Sequence, residues 1–223
     1  MRKICLCSFL VVPFLGTGQT EFSIFAGPQI TTANYTIQTV KQKTEHKYGF
    51  MAGVGWKIPF ENKLSFAPEI FYSQKGYKVS FNQFTFPPGE EAKDNNTNIH
   101  TLEFAGLLQF DLGKLPSHFF LKAGLSLDFQ IYGREKFNTL SGTMIDRKMK
   151  YNFGEYGRYS ANAIIQFGYE TAGGFFLAGR YTNGLANINN ADEGPNIHHM
   201  VYGLVLGIYL KRNKIVIDTR NKE

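Results

Sequence analysis

Residues 119–132, FFLKAGLSLDFQIY, alternate without a break. Phe119, Leu121, Ala123, Leu125, Leu127, Phe129 and Ile131 take every second place. Phe120, Lys122, Gly124, Ser126, Asp128 and Gln130 lie between them. A period of two marks a β-strand with two unlike faces. A soluble sandwich or lipocalin-like barrel turns such an apolar face inward, and a membrane barrel turns it out. The character of the second face decides between them.

The same pattern recurs along the chain. Residues 198–210 set Met200, Tyr202, Leu204, Leu206, Ile208 and Leu210 against Val201, Gly203, Val205, Gly207 and Tyr209. Residues 46–58 set Tyr48, Phe50, Ala52, Val54 and Trp56 against Gly49, Met51, Gly53, Gly55 and Lys57. Residues 64–79 oppose Leu64, Phe66, Pro68, Ile70 and Tyr72 to Ser65, Ala67, Glu69, Ser73 and Lys75. Residues 99–112 oppose Leu102, Phe104, Leu108, Phe110 and Leu112 to Thr101, Glu103, Ala105, Gln109 and Asp111. The second face is crowded with Gly, Ala and Ser. Those side chains solvate a surface poorly but suit a narrow interior, so the bulky face is expected in lipid.

Adding segments 21–30, 118–132, 157–171 and 175–186 gives eight expected strands. Most are longer than the usual ~5–6 residues and reach the ~9–11 that cross a bilayer at a tilt. Their connections alternate in length. FENK, GKLPS and AGG are tight turns, whereas 31–45, 80–98, 133–156 and 187–197 are long and polar. The expected fold is all-β: an eight-stranded antiparallel up-and-down transmembrane β-barrel with short periplasmic turns and long extracellular loops. An even strand count returns both termini to the periplasmic side. The soluble sandwich stays open as the alternative.

The composition agrees with strands. Of 223 residues, 43% are hydrophobic and 15% aromatic, with 23 glycines and only 19% charge. The net charge of +6 comes with no dense Lys/Arg block, so no nucleic-acid surface is expected. Arg2 and Lys3, the apolar run ICLCSFLVVPFL, and Gly16 and Gly18 read as a secretory signal peptide over 1–18. The barrel domain then spans 19–211, and 212–223 forms a basic periplasmic tail. Within that tail Ile215, Val216 and Ile217 could add as a strand to a periplasmic partner. Cys5 and Cys7 fall in the removed part, leaving the mature chain without thiol, disulfide or Cys-based metal site.

Charged residues on the second face need partners, since an unpaired buried charge costs several kcal/mol. By strand direction, Glu69, Lys122, Glu170 and Arg180 fall in the periplasmic half, and Lys75, Glu103, Asp128 and Arg158 in the outer half. Each set sums to zero. The expectation is a barrel plugged by two balanced ion-pair layers. The strand at 175–186 is ambiguous, because Phe175, Leu177 and Tyr181 oppose Phe176, Ala178 and Arg180; Arg180 is expected to point in.

Three stretches carry a family likeness: GFMAGVGWKIPFENKLSFAPEIFYSQKGYKV, LEFAGLLQFDLGKLPSHFFLKAGLSLDF and GYETAGGFFLAGRYTNGLANI. Together they resemble the PorT-like outer-membrane β-barrel family of Bacteroidota, over most of residues 46–211. Two features depart from that pattern: Glu103-Phe104-Ala105 where relatives often have Glu-Ile-Pro, and a chain that runs on past Tyr209 and Leu210. The resemblance implies an integral outer-membrane barrel, with no catalytic residues to carry over. Some relatives serve as accessory parts of a protein-secretion machine.

Chemistry-bearing residues add little. His46, His100 and His198 follow the lipid face, His199 points inward, and His118 opens a strand at the turn end; none comes with a nucleophile or acid motif. The pattern Gly53-Val-Gly55 lies inside a strand and cradles no phosphate. DNNTN at 94–98 and NINNADEG at 187–194 lack calcium-loop spacing. No cofactor and no metal are expected. The loop at 133–156 carries a net +2 that could meet lipopolysaccharide phosphates. These readings favour a non-enzymatic barrel, an accessory or interaction component of an envelope or protein-secretion assembly. The alternatives are an autonomous structural or adhesive barrel, a small channel and a lipid-modifying enzyme.

Overall fold

The computed structural model describes residues 20–89, 91–113 and 115–210. The expected signal peptide, its cleavage site and the tail at 212–223 lie outside the described residues. Twelve strands follow in order: β1 (Glu21–Ile37), β2 (Val40–Lys41), β3 (Lys43–Glu45), β4 (Lys47–Glu61), β5 (Leu64–Lys75), β6 (Lys78–Ser80), β7 (Asp94–Leu112), β8 (His118–Asn138), β9 (Met144–Lys148), β10 (Tyr159–Glu170), β11 (Phe175–Gly184) and β12 (Asn196–Tyr209).

Eight of them close a ring. β1 pairs with β4, β4 with β5, and so on through β7, β8, β10, β11 and β12, which returns to β1; every pairing is antiparallel. Following the register once around from Thr32 leads back to Phe22, a stagger of ten residues. An eight-stranded ring leaves an interior just wide enough for side chains. The wall therefore has no open edge of unpaired backbone, as lipid demands.

The alternation of residues 119–132 is visible strand by strand. Leu125 and Leu127 are 61% and 51% exposed, while Lys122 and Asp128 are 2% and 1% exposed. Phe104, Leu108, Phe167, Leu177 and Leu206 extend this exposed apolar surface around the ring. A belt of that extent is far beyond the few hundred Å² that soluble monomers show water. The inward face instead matches large residues to missing ones. A Cβ on Gly203 would stand 2.2 Å from the Met51 methyl, and one on Gly207 2.2 Å from the Phe176 ring. Strand seven of the ring, β11, resolves as expected: Phe175 faces out, Phe176 and Arg180 face in.

The polar connections differ from expectation. Segment 31–45 is largely continued sheet, and 80–98 and 133–156 are sheet in part, because β1 and β8 run on to Ile37 and Asn138 and β7 begins already at Asp94. β3, β6, the outer part of β7, the outer part of β8 and β9 form a five-stranded wall standing above the ring. Its inward side chains, with those of β1 and β12, bury a second apolar cluster of Tyr35, Tyr77, Ile99, Tyr156, Ile188 and Ile197. A β-bulge between His100 and Thr101 makes the extension possible. It leaves both Ile131 and Tyr132 facing out, so that Gly133, Glu135 and Phe137 become the inward series. Without that slip the outer part of β8 would turn its charged face inward.

Candidate functional site: a filled lumen

The interior is filled in layers. Nearest the short turns, Lys57 Nζ lies 2.9 Å from Asp111 Oδ2 and 3.2 Å from Glu170 Oε2. His118 Nε2 stands 3.3 Å from Asp111, and Tyr209 and Gln109 cover the group. Above it Phe120, Phe176, Leu107 and Ala67 belong to the lower apolar cluster. In mid-barrel Glu69 accepts from Lys122 at 2.9 Å and from Arg180. Gln166 Oε1 accepts from Arg180 Nε at 2.9 Å. Higher still, Lys75 Nζ lies 2.7 Å from Glu103 Oε1 and 2.8 Å from Asp128 Oδ2. Ser126 donates to Glu103 at 3.2 Å and Asn162 to Asp128 at 3.3 Å.

The residues expected inside thus fall into three groups where two were expected. Glu69, Lys122 and Arg180 meet; Lys75, Glu103 and Asp128 meet; Glu170 lies apart from both, with Lys57. Arg158 is a correction. β10 begins only at Tyr159, so the strand phase that would aim Arg158 inward does not reach it. Its side chain is exposed, with the guanidinium 5.7 Å from the Phe129 ring centre and 5.1 Å from that of Tyr151. The groups missed were Lys57, Asp111 and His118. The alternation had already put Lys57 and Asp111 on the inward face, but nothing in it set them beside Glu170.

The cations have second partners. Lys122 stands 5.7 Å from the ring centres of both Phe120 and Phe176. Arg180 stands 5.2 Å from Phe25 and 4.9 Å from Phe71. Such faces hold a desolvated cation with ~2 kcal/mol or more.

At the loop end the second apolar cluster is roofed by a polar one. Arg147 Nε donates to Glu135 Oε1 at 2.7 Å, Tyr156 Oη donates to Glu135 Oε2 at 2.9 Å, and Arg147 also reaches the Pro88 carbonyl at 2.6 Å. Burial pushes the Glu135 carboxyl up, against the pull of Arg147. The histidines serve packing: His100 hydrogen-bonds Tyr72, His198 Nδ1 lies 3.1 Å from the Gly184 carbonyl, and His199 is buried against Tyr77. Among the described residues no group of His, Cys, Asp and Glu is arranged to hold a metal ion. DNNTN is part of β7, and in the 187–194 loop Asn187 and Asn189 cap local backbone groups.

Residues 11–190 match the family model described as outer membrane protein beta-barrel domain. No curated protein matches the sequence. Among solved structures the chain is similar to Ail, the attachment invasion locus protein of Yersinia pestis, solved with the heparin analogue sucrose octasulfate: 12% identity, TM-score 0.45, covering 86% of this chain and 99% of that one. It is similar to OprG from Pseudomonas aeruginosa at 14% identity and TM-score 0.46, covering 88% and 99%. Neisserial surface protein A aligns at 15% identity and TM-score 0.42, covering 84% and 96%.

Proposed function

The chain belongs to the outer membrane protein beta-barrel domain family, and from that premise we propose a non-enzymatic barrel that works through its surfaces, as an accessory or interaction component of an envelope or protein-secretion assembly. The observation that carries this reading is the filled lumen. Charged side chains close to the barrel axis are paired across it, and aromatic rings occupy the space between the layers. Transport has no visible path there, which leaves the loop end, the turn end and the lipid belt. The PorT-like motifs quoted above support the secretion assignment. The lipids of the outer membrane, lipopolysaccharide among them, surround the belt.

The orientation belongs to the same proposal: signal peptide removed at 1–18, both termini periplasmic, long-loop end outside. Against the enzyme alternative, His100, His118 and His198 are held by structural partners, and buried His199 packs on the Tyr77 ring. The channel alternative requires side chains to leave the axis, and the adhesive alternative requires only the loop end.

The test is a pull-down of tagged protein from gently solubilised outer membrane, with bound proteins identified by mass. One partner at near-stoichiometric yield is expected. A barrel that comes away alone sinks the assembly reading and favours the autonomous one. Steady conductance steps in a planar bilayer would overturn the plugged lumen itself.

A further inference from the structure

The outward face of the five-stranded wall differs from every other part of the loop end. Directly beneath it Tyr72, His100 and Tyr132 form a ledge, with ring centres 5.9 and 5.6 Å apart. Beneath the ledge on β8 come Phe129, Leu127 and Leu125. Above it the first cross-strand row holds Asn98, Arg134 and Lys148, joined by Lys47. Lys47 Nζ reaches Asn96 Oδ1 and the Thr97 carbonyl at 2.6 Å each, and Asn98 Oδ1 at 2.5 Å. That row contains three cations and no acid. The next row runs Glu45, Lys78, Asn96, Lys136 and Asp146. Asp146 is shared by Arg134 at 2.6 Å and Lys136 at 2.8 Å, and Lys78 lies 3.9 Å from Glu45. With Lys43 above, the face carries six cations against Glu45, Asp94 and Asp146, an excess of three.

The opposite side of the barrel has the same ledge without the charge. Tyr181 and Tyr202 pair at 5.0 Å, and the outward residues above them are Asn183, His198, Asn34 and Asn196. No Lys or Arg stands among those four; Arg158, just before β10, lies on the β8 side, over the rings of Phe129 and Tyr151. A solvating role for charge would have no reason to choose one side.

We propose that this face seats the phosphorylated headgroup of a glycolipid from the surrounding leaflet. Its acyl chains would lie on the β7–β8 belt, its sugar ring on the Tyr72–His100–Tyr132 ledge, and its phosphates on Arg134, Lys148 and Lys136. The vertical order of apolar belt, aromatic ledge and cationic row reproduces the order of tail, interface and phosphate in half a bilayer. Surface cations near a membrane contribute ~1 kcal/mol each toward anionic lipid. A ligand with no apolar part would gain nothing from a site placed directly on the belt. The inference rests on the reading that the loop end faces the glycolipid leaflet.

The experiment reconstitutes the full barrel in vesicles of phosphatidylcholine alone, with added phosphatidylglycerol, or with added diphosphoryl lipid A. Lipids retained after gentle extraction are read by native mass spectrometry. Lipid A is expected to stay bound, phosphatidylglycerol to stay much less, and phosphatidylcholine to wash off. R134Q/K136Q/K148Q should lose lipid A by about a hundredfold, the scale of three such cations. K148Q alone, which breaks no ion pair described in the wall, should weaken it several-fold. Each variant is first checked for the wild-type folded mobility on unheated gels. Equal retention of phosphatidylglycerol, or of lipid A by the triple variant, overturns the proposal. Labelling of T143C on intact cells by an impermeant maleimide tests the placement separately: failure to label would remove the premise without any lipid being involved.

Discussion

Two interior clusters of the barrel are opposites built on one strand. Glu69 and Lys75 both point inward from β5, six residues apart. Glu69 sits between two cations, Lys122 and Arg180. Lys75 sits between two carboxylates, Glu103 and Asp128. The first group has a net charge of +1 and the second −1, so neither is neutral but they offset each other along the axis. Their surroundings differ accordingly. The excess cations rest on the faces of Phe120, Phe176, Phe25 and Phe71. The excess carboxylates have no use for an aromatic face and take hydrogen bonds from Ser126 and Asn162. A buried cation can be stabilised by packing, whereas a buried carboxylate requires a donor.

The largest effect should come from removing the centre of the acidic cluster. K75M leaves two carboxylates facing each other in a low dielectric, and about 3–5 kcal/mol of stability should be lost. The measure is the denaturant midpoint for reversible unfolding from lipid vesicles. E69Q should cost about 1–2 kcal/mol less, because Lys122 and Arg180 keep their rings and Arg180 keeps Gln166. Equal costs would dissolve the contrast between the clusters. The triple change K75M/E103Q/D128N should recover most of the K75M loss, since it leaves no uncompensated charge in the interior. Smaller again is K122M. Arg180 still holds Glu69, so a loss of about 1–2 kcal/mol is expected, well short of K75M, in the same unfolding assay.

How much of this was legible in the sequence follows from what a period of two can encode. It assigns each residue of a strand to one face, and so it placed Lys122, Asp128, Glu69 and Arg180 inside. It does not encode the stagger around the ring, which decides who meets whom. That is why strand direction alone groups Glu170 with Lys122 when its partner is Lys57, four ring strands away by either path, directly across the barrel. It also cannot foresee a bulge where both residues are apolar, as at Ile131 and Tyr132. Beyond the bulge the outer strands were taken for loops, because their Asn, Thr and Lys residues are as polar as a turn. Their inward faces carry only sparse apolar residues such as Ile99 and Phe137, which close a core with β1 and β12 but form no run of their own. The cationic rows of the wall were visible as residues and invisible as a face.

Arg158 provides the smallest expected effect and the sharpest check on the acidic cluster. Strand phase alone would make it a counter-charge for Glu103 and Asp128, and its loss would then rival that of Lys75. The structure puts its guanidinium on Phe129 and Tyr151 at the outer surface. An exposed cation over an aromatic ring is worth ~0.5–1 kcal/mol. R158Q should therefore lower stability by no more than about that, and combining it with K75M should add the two losses, because sites without shared partners are independent. If R158Q cost as much as K75M, or if the double variant lost less than the sum, Arg158 would be serving the interior charge. The −1 assigned to the Lys75 cluster, and with it the opposition between the two clusters, would then be wrong.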